Sequence, residues 1–377
     1  MENLYFGDEE NIFDDNEIDI IEEEPQEPQE IPREERKLRL QAYDKSVSDL
    51  VNMIRNEDII FSPEYQRNYI WDNKKASLLV ESILLNIPIP VIYASEEEDS
   101  RWNIVDGLQR LNALRRFFDN NFKLNGLEVL KELNGIKYED LNPKAKRMLN
   151  NGNLRVILIF NDSNPEIKYD IFMRLNTGSV KLNEQELRNC LYRGSLNELI
   201  KRLRKNPKFL KILGLKAPHK RMNDCELILR YFAFSENYNL EHNKLIDYKG
   251  SIKPYLNAFM KKNENCIESK INELEIKFNN TINKVYEVFG ENAFRKLNDD
   301  GYENKLNRAI MDVIMIGFED YSFEDVKSKK RNIIELYKTL LKDQRFNLLV
   351  TQATSDTKVI EKRMETWVDK LAEVMRG

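Results

Sequence analysis

The 377-residue sequence predicts an α+β protein, with an N-terminal α/β half followed by an all-helical C-terminal half. Three observations carry this. Short apolar runs bounded by turn residues, the mark of buried strands, fall between about residues 90 and 160 ("VIYA", "WNIV", "RVILIF"). Apolar residues at helical spacing alternate with those runs in the same region. From about Leu196 onward helical patterns dominate almost exclusively, with no fixed repeat.

The first 36 residues stand apart, rich in Glu and Asp, with Pro25, Pro28 and Pro32 blocking regular helix. Such a segment buries too little apolar area to offset its ordering entropy, so it is expected to be a disordered acidic arm. Its start, Glu2-Asn3-Leu4-Tyr5-Phe6-Gly7, resembles a tag-removal protease site lacking the usual glutamine, and residues 1–7 are left out of the functional reading.

Ser48 to Asn56 reads as a short helix, followed by the extended "IIFSPEYQRNYIWD". Asp72 can cap the next helix, whose apolar face is Ala76, Leu79, Val80, Ile83 and Leu84. Pro88 and Pro90 close it, and Val91 to Ala94 is a short buried strand. Trp102 to Val105 is a second strand, broken by Asp106-Gly107. Leu111, Leu114, Phe117 and Phe118 mark the helix after it. "RVILIF" (Arg155 to Phe160) is a third strand, and two helices flank "RLNTG" (Arg174 to Gly178). Further helices are expected near residues 224–236, 253–290, 305–317, 328–342 and 357–375. The expected division is an arm at 1–36, an α/β domain at 37–195 and a helical domain at 196–377.

The net charge of −5 conceals an asymmetry: residues 1–35 hold fifteen acids against the single base Arg33, a net of −14, which leaves +9 for the remainder. A basic body with an acidic arm suits a phosphate-bearing partner. No apolar stretch approaches the roughly 18 residues of a spanning helix, and the acidic N-terminus is unlike a signal peptide. Cys190, Cys225 and Cys266 are too scattered for a disulfide framework. His219 and His242, with no CxxC pair, argue against a structural zinc site. The expected compartment is the cytoplasm.

The segment "WNIVDGLQRLNALRRFF" places Asp106, Gly107, Gln109 and Arg110 where a strand ends and a helix begins. A helix N-terminus offers unpaired N–H groups and the positive end of its dipole, which suits phosphate. Gly107 allows close backbone approach, and Arg110 can grip phosphate through a bidentate fork. Asp106 can hold Mg²⁺ or orient water, and Gln109 can position an attacking water. A plainer reading stands beside this one: Asp106 caps the helix and Arg110 is solvated.

Four segments weigh on that choice when taken in order: "PEYQRNYIWD" (Pro63 to Asp72), "VESILLNIPIPVIYASE" (Val80 to Glu96), "NIVDGLQRL" (Asn103 to Leu111) and "IFMRLNTGSVKLNEQELRN" (Ile171 to Asn189). Together they resemble the N-terminal domain family of GmrSD-type restriction proteins, built around a DGQQR motif. The resemblance runs from about Val47 to Tyr192. It continues more weakly through "RMNDCELILRYFAF" (Arg221 to Phe234) and "LNRAIMDVIMIGF" (Leu306 to Phe318).

The resemblance implies a ParB/sulfiredoxin-like fold and a nucleoside triphosphate held with Mg²⁺ at the motif. Its members serve defence against phage or foreign DNA. It places Asp106, Gln109 and Arg110 at the nucleotide, where they are the candidate catalytic residues. Gly107, Gln66, Arg67, Arg174 and Asn176 go to nucleotide binding. Leu108 stands where the motif has its first Gln, which removes one polar contact. The HNH nuclease often appended in this family needs histidines as base and metal ligand, and neither His219 nor His242 lies in a matching context. A separate nuclease or defence protein is therefore the expected partner. Two other readings remain: a DNA-binding adaptor with a vestigial nucleotide site, and a nuclease site within the ParB-like half.

Between Leu199 and Arg221 lie nine bases and no acid. Lys201, Arg202, Arg204, Lys205, Lys220 and Arg221 are the candidate DNA contacts, with a merely solvated face as the alternative. Tyr65, Tyr69 and Trp71 suit either base stacking or the core. Cys190, at helical spacing with Leu187 and Leu191, reads as a core thiol. His219, beside Lys220 and Arg221, is expected to be exposed. The acidic arm either aids solubility or competes with nucleic acid for the basic stretch.

Overall fold

The computed structural model describes residues 37–60, 71–175, 183–298 and 301–377. The segments holding the acidic arm, Tyr65, Gln66, Arg67, Tyr69 and Asn176 lie outside these residues. Contacts divide the described chain into an α/β unit up to residue 175 and a helical unit from Asn183 onward.

The α/β unit is built on a five-stranded mixed sheet: β1 (Leu40–Ser46), β2 (Ile59–Ile60), β3 (Ile92–Glu96), β4 (Trp102–Asp106) and β5 (Asn153–Ile159), in the order β1-β5-β3-β4-β2. β1 pairs antiparallel with β5, and β3 runs parallel to β5 but antiparallel to β4. β2 runs parallel to β4, with Ile59 opposite Trp102 and Ile60 opposite Asn103. It therefore points toward the sheet edge at which β4 ends in Asp106. β1 was not legible in the sequence: it is an edge strand whose residues are mostly exposed and polar.

Among the described residues the helices that accompany the sheet are α1 (Val47–Arg55), α2 (Asn73–Leu84), α3 (Leu108–Phe118), α4 (Pro143–Asn150) and α5 (Pro165–Leu175). The side chain of Asp72 accepts from the Lys75 N–H and caps α2, as its position predicts. Ala76, Leu79, Val80, Ile83 and Leu84 are all buried in one core with Leu111, Leu114 and Phe117 of α3 and Leu154, Val156 and Leu158 of β5. Glu81, on α2, is nearly buried, and its carboxylate accepts the backbone N–H groups of Glu128, Val129 and Leu130. One carboxylate thus ties the long α3–α4 connection to the helix beneath it.

The helical unit contains α6 (Glu184–Leu191), α7 (Ser195–Leu203), α8 (Pro207–Leu213), α9 (Asn223–Asn237), α10 (Ile252–Lys262), α11 (Glu268–Phe289), α12 (Arg308–Gly317), α13 (Phe323–Ser328), α14 (Lys330–Lys342), α15 (Gln344–Leu349) and α16 (Thr357–Arg376). The run expected at 253–290 is two helices, α10 and α11. Two hairpins interrupt the helices: β6 (Tyr238–Asn239) with β7 (Lys244–Leu245), and β8 (Arg295–Asn298) with β9 (Gly301–Leu306). The C-terminal half is therefore predominantly rather than wholly helical.

At the centre of this unit Asp312 of α12 takes both Arg230 of α9, at 2.7 Å to each oxygen, and Arg363 of α16, at 2.9 Å. All three are almost completely buried, so the triad fixes how these helices register. No helix among the described residues is long and apolar enough to cross a membrane.

Candidate functional site

Asp106 is the last residue of β4, and Gly107 turns the chain into α3. Gly107 sits at φ 97°, in the left-handed region where a side chain is strained. It is also buried: a Cβ there would lie 2.8 Å from Cγ1 of Ile92 and 3.2 Å from Nη2 of Arg110. Glycine is thus required twice at this turn, once by backbone conformation and once by packing against β3.

No side chain caps the N-terminus of α3. The reading of Asp106 as a helix cap is overturned here. Because Gly107 occupies the cap position, Asp106 belongs to the strand, and its Oδ2 accepts from Arg110 Nη2 at 2.8 Å. The helix opens at Leu108, and the first N–H groups of an α-helix are not bonded within the helix itself.

Arg110 is not solvated either, with only 8% of its surface exposed. Its Nη1 donates to the carbonyl of Pro90, and its Nη2 reaches the carbonyl of Val91 at 3.3 Å besides Asp106. Burial lowers the Arg110 pKa, and the Asp106 carboxylate offsets part of that shift. The guanidinium clamps the Pro90–Val91 entry of β3 to the end of β4.

Leu108 packs its side chain against the core of the unit, so the departure from the DGQQR pattern replaces a polar group with an apolar contact. Gln109 is half-buried. Tyr93, which sequence reasoning passed over, lies opposite Asp106 across the β3–β4 pair, while Ala94 lies opposite Ile104. Val105 is therefore an extra residue, and this bulge re-aims the strand end just before the turn. The alternation of "NIPIPVIYASE" gave no sign of it, because a bulge is a property of the pair.

Arg174, at the end of α5, is exposed and pairs with Asp170 at 3.4 Å. Among the described residues no cluster of three or more His, Cys, Asp or Glu could hold a metal. Any divalent ion at the turn would rest on Asp106 together with oxygens of the ligand and water. Asp106 suits that, because its side chain is 36% exposed and only one of its oxygens is engaged by Arg110.

Part of the basic stretch is paired with acids of the helical unit. Lys201 pairs with Glu198, Arg202 forms a two-pronged bridge to Glu275, Arg204 pairs with the buried Asp224, and Arg221 pairs with Glu186. Lys205 and Lys220 are exposed. His219 is buried, contrary to expectation, because its N–H donates to Asp224 at 2.9 Å and its carbonyl accepts from Arg204. Cys190 is a buried core thiol, and Trp71 is partly buried against the α/β core.

The segment "NEQELRN" forms α6 and the turn before it, and its polar residues are internal. Gln185, Glu186, Arg188 and Asn189 are buried, with Arg188 bonded to Gln185, Asn257 and Glu226. Asn183 caps α6 and donates to the Arg221 carbonyl at 2.6 Å, joining this segment to "RMND".

Taken together, a mixed sheet whose fourth strand feeds a left-handed glycine and an uncapped helix defines an α/β unit of the strand–glycine–helix kind. Residues 47–193 match the family model of the GmrSD restriction endonuclease N-terminal domain, and this part of the chain is a domain of that family. The match begins at the first residue of α1, contains the whole Asp106–Arg110 turn and ends two residues past α6. No curated protein and no solved structure matches the chain.

Proposed function

We propose that the protein is a nucleotide-binding component of a bacterial DNA-restriction or phage-defence system, and that it binds and hydrolyses a nucleoside triphosphate with Mg²⁺ at the Asp106–Arg110 turn. The observation that carries this reading is the uncapped start of α3 behind a left-handed Gly107, beside a partly exposed carboxylate, within a segment matching a restriction-endonuclease domain. Backbone N–H groups of the first turn would receive phosphate oxygens, helped by the helix dipole.

Asp106 would hold the magnesium ion through the oxygen that Arg110 leaves unused, and the ion supplies charge neutralisation on the transferred phosphoryl group. Gln109, in the first turn, would orient the attacking water. Since the Arg110 fork already serves Pro90, Val91 and Asp106, Arg110 would act by positioning Asp106. Phosphate charge then falls to Arg67 and Arg174, with Gln66 and Asn176 as polar contacts, in the roles the family resemblance gives them.

Leu108 favours a second reading in which triphosphate is bound but turned over slowly or not at all, its side chain being committed to the core. A melting-temperature screen of the full chain against the four triphosphates with Mg²⁺ tests binding, because a ligand of the native state alone raises the transition. Phosphate release by wild type and by Asp106→Asn then separates the two readings. Turnover lost in the variant with affinity retained supports hydrolysis at this turn. No shift with any triphosphate at millimolar concentration would sink both.

A further inference from the structure

The ion pairs of the basic stretch leave a particular group of lysines over. Lys205, Lys211 and Lys216 are exposed and Lys208 is half-buried. None of the four makes a salt bridge among the described residues, unlike Lys201, Arg202, Arg204 and Arg221. All four lie on or beside α8, and Lys208 and Lys211 are one helical turn apart on the same face. Each places its ammonium 5.9 Å from the ring centre of Tyr286 on α11. The C-terminal end of α8 is further held by Arg295, whose Nη1 donates to the Ile212 carbonyl at 2.9 Å.

Nearby acids do little to cancel this charge. Glu275 of α11 is taken by Arg202, and Glu287 pairs with Lys330 at 3.3 Å. Glu291, on the short turn after α11, is an exposed carboxylate near the end of α8. Lys208 also lines a cleft of about 980 Å³ along α11, with Asn272, Asn280 and Asn283 in its wall. Side-chain amides both donate and accept, which matches the edges of nucleobases. Glu273 and Glu319 also line that cleft, so the favourable track for phosphate is the α8 side.

We infer that the α8 surface of the helical unit, formed by Lys205, Lys208, Lys211 and Lys216 around Tyr286, is a docking surface for the phosphodiester backbone of a nucleic acid. The inference rests on the restriction reading above and moves the contact from the paired arginines to the unpaired lysines. Unpaired lysines meet phosphate without first breaking an internal bridge. Tyr286 packs partly against the helical core and keeps part of its surface exposed beside the two ammonium groups, an aromatic surface on which a base can stack in sequence-tolerant strand binding.

The test is fluorescence anisotropy of the full chain with a labelled 30-base-pair duplex and a 30-nucleotide strand of random sequence, across a salt series. The variant K208A/K211A/K216A is compared with the charge-matched control K261A/K262A/K338A, whose lysines are exposed elsewhere in the helical unit. Loss of three phosphate contacts lowers the slope of log affinity against log salt by about 2.7 for duplex and about 2 for the single strand. Duplex affinity at moderate salt falls by about tenfold or more, while the control stays near wild type. Tyr286→Ala should weaken the single strand about tenfold, with Tyr286→Phe near wild type.

Wild-type binding with an unchanged slope in the α8 variant overturns the surface and leaves the DNA reading standing. An equal loss in the control reduces the effect to net charge and overturns it as well. Polyglutamate competing as well as DNA at equal charge would also overturn it, since the surface would then suit any polyanion. Wild type that binds neither probe at low salt overturns the DNA reading itself.

Discussion

Replacing Arg110 by Ala separates the two ways in which this residue could serve the site. If it met phosphate through a free fork, its loss would weaken binding and leave the free protein's stability unchanged. In the structure it instead joins Pro90, Val91 and Asp106 while almost fully buried. A hydrogen bond made by a charged group is worth about 1.5–3 kcal/mol, and Arg110 makes three, of which the 3.3 Å contact to Val91 is the weakest. Its own desolvation offsets part of that sum, and Asp106 is exposed enough for water to take over its bond. A net loss of about 3 kcal/mol follows, within the range for breaking a buried pair by removing one partner.

For a unit of this size, that corresponds to a fall in melting temperature of roughly 6–12 °C. The measurement is urea and thermal unfolding of the full chain followed by tryptophan fluorescence, with Trp71 and Trp102 reporting on the α/β unit. Triphosphate affinity is measured by calorimetry below the transition, where the variant is folded. The expected outcome is a shifted midpoint with only a small loss of binding, because Arg110 acts through the position of Asp106 and makes no phosphate contact of its own. An unshifted midpoint would refute the clamp, and a loss of about thirtyfold in affinity (about 2 kcal/mol) without a shifted midpoint would show that the fork meets phosphate directly.

Three further outcomes follow from the same geometry. Gly107→Ala combines a left-handed backbone with a Cβ 2.8 Å from Ile92, so it should cost about 2–3 kcal/mol in unfolding free energy; an unshifted denaturation midpoint would mean that the turn relaxes freely. Burial alone would raise the pKa of Glu81, yet the N–H groups of Leu130, Val129 and Glu128 outweigh it and hold the carboxyl below its ordinary 4.5. Its contribution is therefore present above the unfolded value and lost as pH falls through the folded one. The stability gap between wild type and Glu81→Gln should stay level above about pH 5.5 and close below pH 4.5, and a gap that widens on acidification contradicts this. Asp312→Asn leaves Arg230 and Arg363 without their shared counter-charge in the core, and should destabilise the helical unit by about 4 kcal/mol, read by urea unfolding at Trp367; a change under 1 kcal/mol would mean that water or a bound anion replaces the carboxylate.

What the sequence revealed divides along physical lines. Helices with an apolar face, such as α2 and α9, were legible because their periodicity is local. So were β3, β4 and β5, whose apolar runs are covered by helices. β1 was missed because an edge strand buries little, and Leu40 itself is among the exposed hydrophobics. The glycine turn was legible as a place, but its bonding was not. Whether a charged residue in a first turn is solvated or buried depends on Pro90 and Val91, twenty and nineteen residues away. The same holds for the basic stretch: it contains no acid, yet Arg202 finds Glu275 across a separation of 73 residues. An acid-free run in one dimension is therefore no measure of free positive charge in three.

The resembling segments themselves follow two different physical rules. "NIVDGLQRL" keeps a carboxylate and the first turn of a helix at the end of a sheet, where a ligand could reach them. "NEQELRN" and "RMND" put their polar groups inside. Arg188, without exposed surface, is held by Gln185, Asn257, Glu184 and Glu226, and Glu226 also receives Arg308. Four helices, α6, α9, α10 and α12, are tied together through Arg188 and Glu226. Breaking a buried network of this kind by removing one charged partner is costly, because the rest of the charge sits in a low dielectric. The family match ends just after α6, although the contacts of α6 lie with the helical unit that continues beyond it. Residues that hold α6 in place, Asn257 and Glu226 among them, lie outside the matched segment. The matched segment is thus completed, at its last helix, by residues that the match does not contain.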